Sequence, residues 1–516
     1  MRPFKIFLVF LIILVIISLL AYFYPNKGIP LGSQYTLTFP SLKEIVQKEE
    51  VQYKDISQIV RNNTPVDTSI NYMWDNEKDS TLLTRSKAEQ VDSVEQKPTD
   101  TIQPQPTPKP HKPDYKRGLE YPNGDPSVLY PFFESLQTVQ ASDNLLRILH
   151  YGDSQIEGDR ISSYLRSRLQ SRFGGTGIGL FPAVLPFNTN ISLKHRSSKE
   201  WNRYTVQSMK NSNFNHKRFG LLLSFCRYSP LYSNYQDEVY EASITLRESP
   251  IAFDRFYDFS DCKIFYGYNE KPFIVKIGDK EQVFDAEMIP PTRKLKTIEW
   301  EVPPEPEELT LTFQGMHSPD IYGIALDGES GIALDNIPLR GSSGTDFTKT
   351  DPTFYKEMFD HLNVKLILLH FGVNIVPMIR EDYSFYENQL YQQLQFLKSL
   401  DSNLSVIVMG VTDMSRKVGG HYESYPNIEK IRNAQKRAAF KANCVFWDTL
   451  EAMGGKNSMP SWVFADPPLA RKDFTHFTYK GSVVIAKMFY KALMNDYQKY
   501  HQSKNPKIET SQKDSL

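Results

Sequence analysis

Excess charge of either sign is missing from this 516-residue chain, in which sixty Lys and Arg balance sixty Asp and Glu. A basic field for nucleic acid is therefore not what organises it, and no nucleic-acid partner is expected. Cysteine is scarce. There are three, and no CxxC pair or His/Cys cluster has the spacing of zinc ligands. No metal or organic cofactor is implied. Cys226 and Cys262 share one region and can pair in an oxidising compartment, whereas Cys444 sits in an apolar run and reads as an inert buried thiol. A nucleotide-phosphate loop is lacking too: Gly174-Gly-Thr-Gly-Ile-Gly-Leu has no Gly-Lys-Ser/Thr ending and no strand before it, so it reads as a turn.

Aromatic residues are abundant, with 29 Tyr and 32 Phe, which suits packed sheets and stacking surfaces. The length accommodates roughly two or three domains with sizeable cores. Ile6 to Tyr24 is a run of nineteen residues without charge, long enough to cross a bilayer as a helix. Arg2 and Lys5 precede it, so the positive-inside rule leaves the N-terminus in the cytoplasm and exports the rest. Ala-Tyr-Phe-Tyr-Pro offers a poor small-residue cleavage site, and residues 1–25 are expected to remain as a single-pass transmembrane anchor. Residues 26–117 are polar, lack periodicity and end in a Pro-rich stretch, Thr101-Ile-Gln-Pro-Gln-Pro-Thr-Pro-Lys-Pro. They read as a disordered tether with a typical end-to-end distance of ~50–60 Å.

The folded part opens near Gly118 with a short amphipathic helix from Tyr130. Between 188 and 327 short β-rich runs alternate with turns: Phe219–Phe225, Ala242–Arg247, Lys263–Tyr268, Pro272–Ile277, Thr297–Val302 and Leu309–Phe313. No useful helix interrupts them, the pattern of an antiparallel β-sandwich or jelly roll. Its aromatics, Trp201, Tyr228, Tyr232, Tyr235, Tyr257, Tyr266, Tyr268 and Trp300, suit either a core or a sugar-stacking face. On both sides, over 118–187 and 328–500, strands alternate with helices. Later strands are expected at Ile332–Leu339, Val364–His370, Ser405–Gly410 and Cys444–Asp448, and helices at Phe354–Leu362, Tyr383–Leu400, Pro426–Ala442 and Thr478–Tyr497. With the strand before Ser154 this makes an α/β fold with a five-stranded parallel, doubly wound sheet, the sandwich inserted into it and 501–516 left as a polar tail.

In such sheets ligands bind at the carboxyl ends of the strands. Ser154, Gly344 and Asn374 each follow such an end. Gly152-Asp153-Ser154 breaks the buried run Leu145–Tyr151, which presents the serine hydroxyl at the sheet edge beside the N–H groups of a helix start. An Asp-Ser helix cap accounts for the same residues. A serine nucleophile needs a base oriented by a third group. Asp473-Phe-Thr-His476 supplies both types at a loop spacing that lets the carboxylate reach one imidazole nitrogen, although it also suits a helix start with an exposed histidine. The N–H of Ser154, the N–H of Gly344 and the Asn374 amide are candidate oxyanion donors, with turn formation as the other explanation of the last two.

Taken in order, Gly152-Asp-Ser154, Gly344, Gly372-Val-Asn374 and Asp473-x-x-His476 resemble the four blocks of the SGNH (GDSL-like) hydrolase superfamily, over roughly residues 119–180 and 331–500. The resemblance implies Ser154 as nucleophile, His476 as general base and then acid, and Asp473 as its orienting carboxylate. It implies an oxyanion hole from Ser154, Gly344 and Asn374, with Gly341 as the alternative to Gly344. The sequence departs from the pattern at Gln155, where leucine often stands, and at Ile375, where aspartate is common. An anchored member with a β-sandwich between the first two blocks is similar to the bacterial peptidoglycan O-acetylesterases and related polysaccharide acetylesterases. That likeness implies a serine carbohydrate esterase of the inner membrane, held by the N-terminal helix, with its catalytic domain in the periplasm or outside the cell. An acetylated glycan would be its partner and the insert a carbohydrate-binding-like module. A lipase or thioesterase, an O-acetyltransferase on the same triad and a non-catalytic envelope glycan-binding protein are the alternatives.

Overall fold

The computed structural model describes residues 7–13, 15, 29–31, 35–37, 53–63, 118–139, 143–187, 190–211, 216–231, 238–303 and 306–504. Two units are distinguished. The smaller comprises 1–53 and 416–423. Its described residues include a helical turn at 7–13 and an antiparallel pair, Ile29–Leu31 with Tyr35–Leu37. No helix among the described residues is long and apolar enough to cross a membrane. Most of the anchor expected from Ile6 to Tyr24, and most of the 26–117 tether, lie outside the described residues.

The larger unit comprises 54–415 and 424–516. It corrects the tether at once. Ser57–Asn63 forms helix α1, with Ile56 and Ile59 buried. Seven residues do not hold a helix alone in water. Packing supplies what propensity lacks: the Lys54 C=O accepts from Ser461 Oγ (2.7 Å), and Asn63 Oδ1 accepts from Lys491 Nζ (3.2 Å).

The sheet follows expectation. Strand β1 (Leu145–Gly152) is buried along almost its whole length, as a near-continuous apolar strand covered on both faces should be. With β2 (Gly331–Pro338), β3 (Val364–His370), β4 (Ser405–Met409) and β5 (Val445–Trp447) it forms an all-parallel sheet of order β2-β1-β3-β4-β5. Helices α2 (Tyr130–Val139) and α3 (Ser162–Phe173) lie on one face, α4 (Pro352–Asp360), α5 (Ser384–Lys398) and α6 (Ile428–Lys441) on the other. Helix α7 (Tyr479–Lys504) joins α2 and α3, its Tyr497 ring 5.6 Å from Phe133 and 5.4 Å from Phe173. It runs past the expected end at Tyr497 into the supposed tail, because Tyr500 also packs on Phe133.

The antiparallel region comprises a five-stranded and a six-stranded sheet facing each other across an apolar core that includes Ile244, Val275, Phe313, Ile264 and Trp300. Trp201, Tyr228, Tyr257 and Tyr266 belong to that core, which removes them from any stacking face; Tyr232 and Tyr235 lie outside the described residues. Two local expectations fail. Gly177–Phe181, read as part of a turn, is a strand paired antiparallel with Asp320–Asp327, so this sheet begins before residue 188. Its glycines serve close approach: a Cβ on Gly177 would meet the Leu326 C=O at 2.2 Å. Phe219–Phe225, read as a strand, is mostly a buried turn leading into Ser224–Arg227; apolar content alone does not separate the two. Cys226, Cys262 and Cys444 are all buried free thiols.

The two regions share a core. Phe219, Leu222 and Tyr322 pack with Phe354 and Met358 of α4, and the Tyr322 and Phe354 rings lie 4.5 Å apart. A buried charge cluster adds to this. Arg147, inside β1, pairs with Asp335 of β2 (2.6 Å) and with Asp327 at the end of the antiparallel sheet. Burial raises the Asp335 carboxyl, Arg147 pulls it back, and it stands at about 6. Removing one partner of such a cluster strands the others. Arg147→Met is expected to destabilise the protein by about 3–5 kcal/mol. Part of the loss should return at pH 5, where the stranded Asp335 carboxyl protonates. A urea midpoint equal to wild type at pH 7.5 would show that the cluster contributes nothing.

Candidate active site

A 2-1-3-4-5 strand order reverses direction between β1 and β3, which opens a crevice at their carboxyl ends. The loops after β1 and β3 bring Ser154 and Asn374 there. β1 ends at Gly152, where any side chain would collide with the His370 C=O at 2.9 Å, and the chain then turns through Asp153 into a 3-10 segment, Ser154–Asp159. Helix α3 starts only at Ser162, later than the helix start expected beside Ser154. Asp153 ties the turn down: its carboxylate accepts from the N–H groups of Gln155 (3.0 Å) and Gly372 (3.2 Å). Burial pushes this carboxyl up to about 7 despite those bonds.

The loop before α7 carries the other two groups. Ser154 Oγ lies 2.8 Å from His476 Nε2, and His476 Nδ1 lies 2.7 Å from Asp473 Oδ2. A carboxylate only accepts, so Nδ1 carries the proton and Nε2 is free to accept from the serine hydroxyl. Asp473 Oδ1 also accepts from the N–H groups of Thr475 and His476, both at 3.0 Å. Burial raises the Asp473 carboxyl, but hydrogen bonds from the His476 ring and these two N–H groups outweigh it and hold it at about 2. A hydroxyl, an imidazole and a carboxylate thus stand in line.

The other two expected positions fare differently. Asn374 Nδ2 donates to the Ser342 C=O (2.8 Å), which fixes the amide and leaves its second hydrogen available. Gly344 has an N–H that is already engaged. It is buried against the Phe371 ring, and its N–H donates to Ser342 Oγ (3.0 Å). Gly341 is exposed and occupies the third position of a turn closed by Ser342 N–H donating to the Leu339 C=O (2.9 Å). Its φ of 77° suits glycine, and its own N–H has no acceptor among the described residues.

Sequence reasoning passed over two residues that join the serine turn to the histidine loop. Gln155, seen there only as a departure, is buried and donates through Nε2 to the Thr475 C=O (2.7 Å) and to Thr412 Oγ1 (3.1 Å). Arg160 donates to the C=O groups of Ser154 (3.0 Å) and Phe477 (2.9 Å). Thr475 and Phe477 flank His476, so these bonds fix the base from both sides relative to the serine. Their signal was a long polar side chain at a position that should be buried, which points to a partner without naming it.

No family model and no curated protein matches the chain. Solved structures do. A peptidoglycan O-acetylesterase is 21% identical with a TM-score of 0.56, covering 72% of this chain and 96% of that one. A family two carbohydrate esterase from Cellvibrio japonicus is 7% identical with a TM-score of 0.23, over 59% of this chain and 99% of that one. An acetyl xylan esterase is 17% identical with a TM-score of 0.25, over 31% of this chain and 81% of that one. The chain has an SGNH (GDSL)-hydrolase-like fold with an inserted antiparallel region, resembling the first of these.

Proposed function

We propose that this chain is a serine esterase of the SGNH type that removes O-acetyl groups from cell-envelope glycan, with peptidoglycan as the foremost substrate. The observation that carries the reading is the Ser154–His476–Asp473 line, at 2.8 and 2.7 Å, on the loops that frame the sheet's crevice. Ser154 Oγ attacks the acetyl carbonyl carbon as its proton passes to His476 Nε2. His476 then protonates the departing sugar oxygen. Water, deprotonated by His476, cleaves the acetyl-serine, which releases acetate and restores the hydroxyl. Asp473 holds the tautomer throughout. The oxyanion donors are the Ser154 N–H, the Asn374 amide and the Gly341 N–H, which takes the place expected of Gly344. The likeness to a peptidoglycan O-acetylesterase supports an acetylated glycan as substrate. The uncharged run from Ile6 to Tyr24 supports attachment to the inner membrane with the catalytic part exported.

The test follows acetate release from O-acetylated peptidoglycan, from a chromogenic acetyl ester and from a long-chain ester, using wild type beside Ser154→Ala. Serine-dependent release from the glycan is expected. Serine-dependent turnover of the long-chain ester alone would make the chain a lipase, and transfer of acetyl to a sugar acceptor without net hydrolysis would make it a transferase. Asn374→Ala is expected to lower kcat by roughly tenfold to a thousandfold with a smaller change in KM. Full activity in that variant would remove the amide from the oxyanion hole.

A further inference from the structure

A cavity of about 240 Å³ lies where the antiparallel region meets the parallel sheet. Phe187, Arg203, Thr205 and Gln207 line it from the first, and Leu339 and Arg340 from the loop after β2. That loop adjoins the nucleophile. The Leu339 N–H donates to the Gly152 C=O (2.7 Å), two residues before Ser154, and Arg340 approaches Glu157 (3.5 Å), three residues after it. The cavity is thus built on the turn beside the reacting serine.

Arg203 sets it apart. This residue is partly buried in the Asn202–Thr205 strand, and its Nε donates to Ser224 Oγ (3.2 Å). It pairs with no carboxylate among the described residues, and nothing there accepts from its terminal nitrogens. Elsewhere Arg147, Arg166, Arg227 and Arg432 each pair with an aspartate, and buried Arg160 donates to the backbone C=O groups of Ser154, Glu157 and Phe477. Burial lowers the pKa of the Arg203 guanidinium, the mark of a cation withdrawn from water without a counter-charge. Such a group costs free energy unless something anionic meets it. Across the cavity Arg340 adds a second cation, its guanidinium 5.3 Å above the Phe187 ring. Its one acidic contact among the described residues, Glu157, stands at 3.5 Å.

We propose that this cavity receives a carboxylate carried by the acetylated sugar, with the Arg203 fork as its donor and Arg340 as a second cation, so that the enzyme selects acidic glycan units, in peptidoglycan the muramoyl units whose lactyl carboxyl is not amide-linked to a peptide. The proposal rests on the hydrolase reading and adds to it the charge of the substrate. A guanidinium fork matches a carboxylate in shape as well as charge, which neither a neutral sugar nor a lysine reproduces.

The test compares 6-O-acetyl-N-acetylmuramic acid with its carboxyl methyl ester, which differ in one charge, on the full chain. Wild type is expected to favour the acid by roughly tenfold to a hundredfold in kcat/KM, mainly through KM. Arg203→Gln should erase the preference, and Arg203→Lys, which keeps the charge and loses the fork, should retain only part of it. Matched thermal melts show whether the variants are folded. Equal turnover of both esters by wild type, or a parallel fall on both in folded Arg203→Gln, would overturn the proposal. Should neither sugar be hydrolysed, the hydrolase reading fails, and calorimetry on Ser154→Ala still decides the site. Binding of N-acetylmuramic acid but not its methyl ester, lost on adding Arg203→Gln, upholds it. No heat, or equal binding of acetate alone, overturns it.

Discussion

Replacing Ser154 with alanine is expected to lower acetate release by roughly four to six orders of magnitude while the protein stays folded. The side-chain hydrogen bond at stake is the one to His476 Nε2. His476 is 30% exposed, so water replaces the lost partner and the stability change should stay below about 1 kcal/mol. The pairing of a large kinetic effect with a small thermodynamic one is the informative part. A structural cap would show the reverse, because capping energy is a stability term of about 1 kcal/mol and leaves turnover intact. Here the cap belongs to Asp153, whose carboxylate accepts from the Gln155 N–H, so the serine hydroxyl is free for chemistry. Acetate release and a thermal melt on the same preparation separate the two roles. Turnover within tenfold of wild type would end the case for Ser154 as nucleophile.

What was legible in the sequence follows from what each signal measures. Strand β3 was placed residue for residue, since a bounded apolar run followed by Phe-Gly-Val-Asn leaves little freedom. The meeting of Ser154, His476 and Asp473 was legible because a serine nucleophile demands particular residue types at strand ends and before a helix. Gly344 and Gly341 were hard to tell apart because glycine at a loop says only that a side chain is unwelcome. At Gly344 the obstacle is the Phe371 ring, at Gly341 the turn's φ of 77°. Sequence does not distinguish a packing constraint from a backbone one. The docking of α1 was hidden for a similar reason: Ile56 and Ile59 are too few to signal a core, and their partners lie some four hundred residues away in sequence. The bonds of Gln155 and Arg160 to the carbonyls around His476 depend on backbone atoms, which carry no residue identity.

Those same bonds frame the second large effect, that of Asp473→Asn. The Ser154 turn and the His476 loop are fastened through Thr475 and Phe477 by Gln155 and Arg160, so the loop should keep its place without the Asp473 charge. What changes is the proton. An asparagine turned to donate to Nδ1 leaves Nε2 protonated and unable to accept from the serine, and a loss of about ten-thousandfold in kcat is expected. The pH dependence adds a check. With its carboxyl held at about 2, Asp473 is ionised across the working range, so it does not supply an acid limb above pH 4. Its folded value lies below the unfolded one of about 3.9, so whatever stability it contributes is present above pH ~4 and fades as pH falls towards 2. The side chain is 46% exposed, which keeps that contribution small. Asp473→Asn should therefore lower the whole pH–rate profile while the melting temperature at pH 7 scarcely moves. A variant that retained kcat within tenfold would show that the loop alone orients His476, and the carboxylate would then have no part in the chemistry.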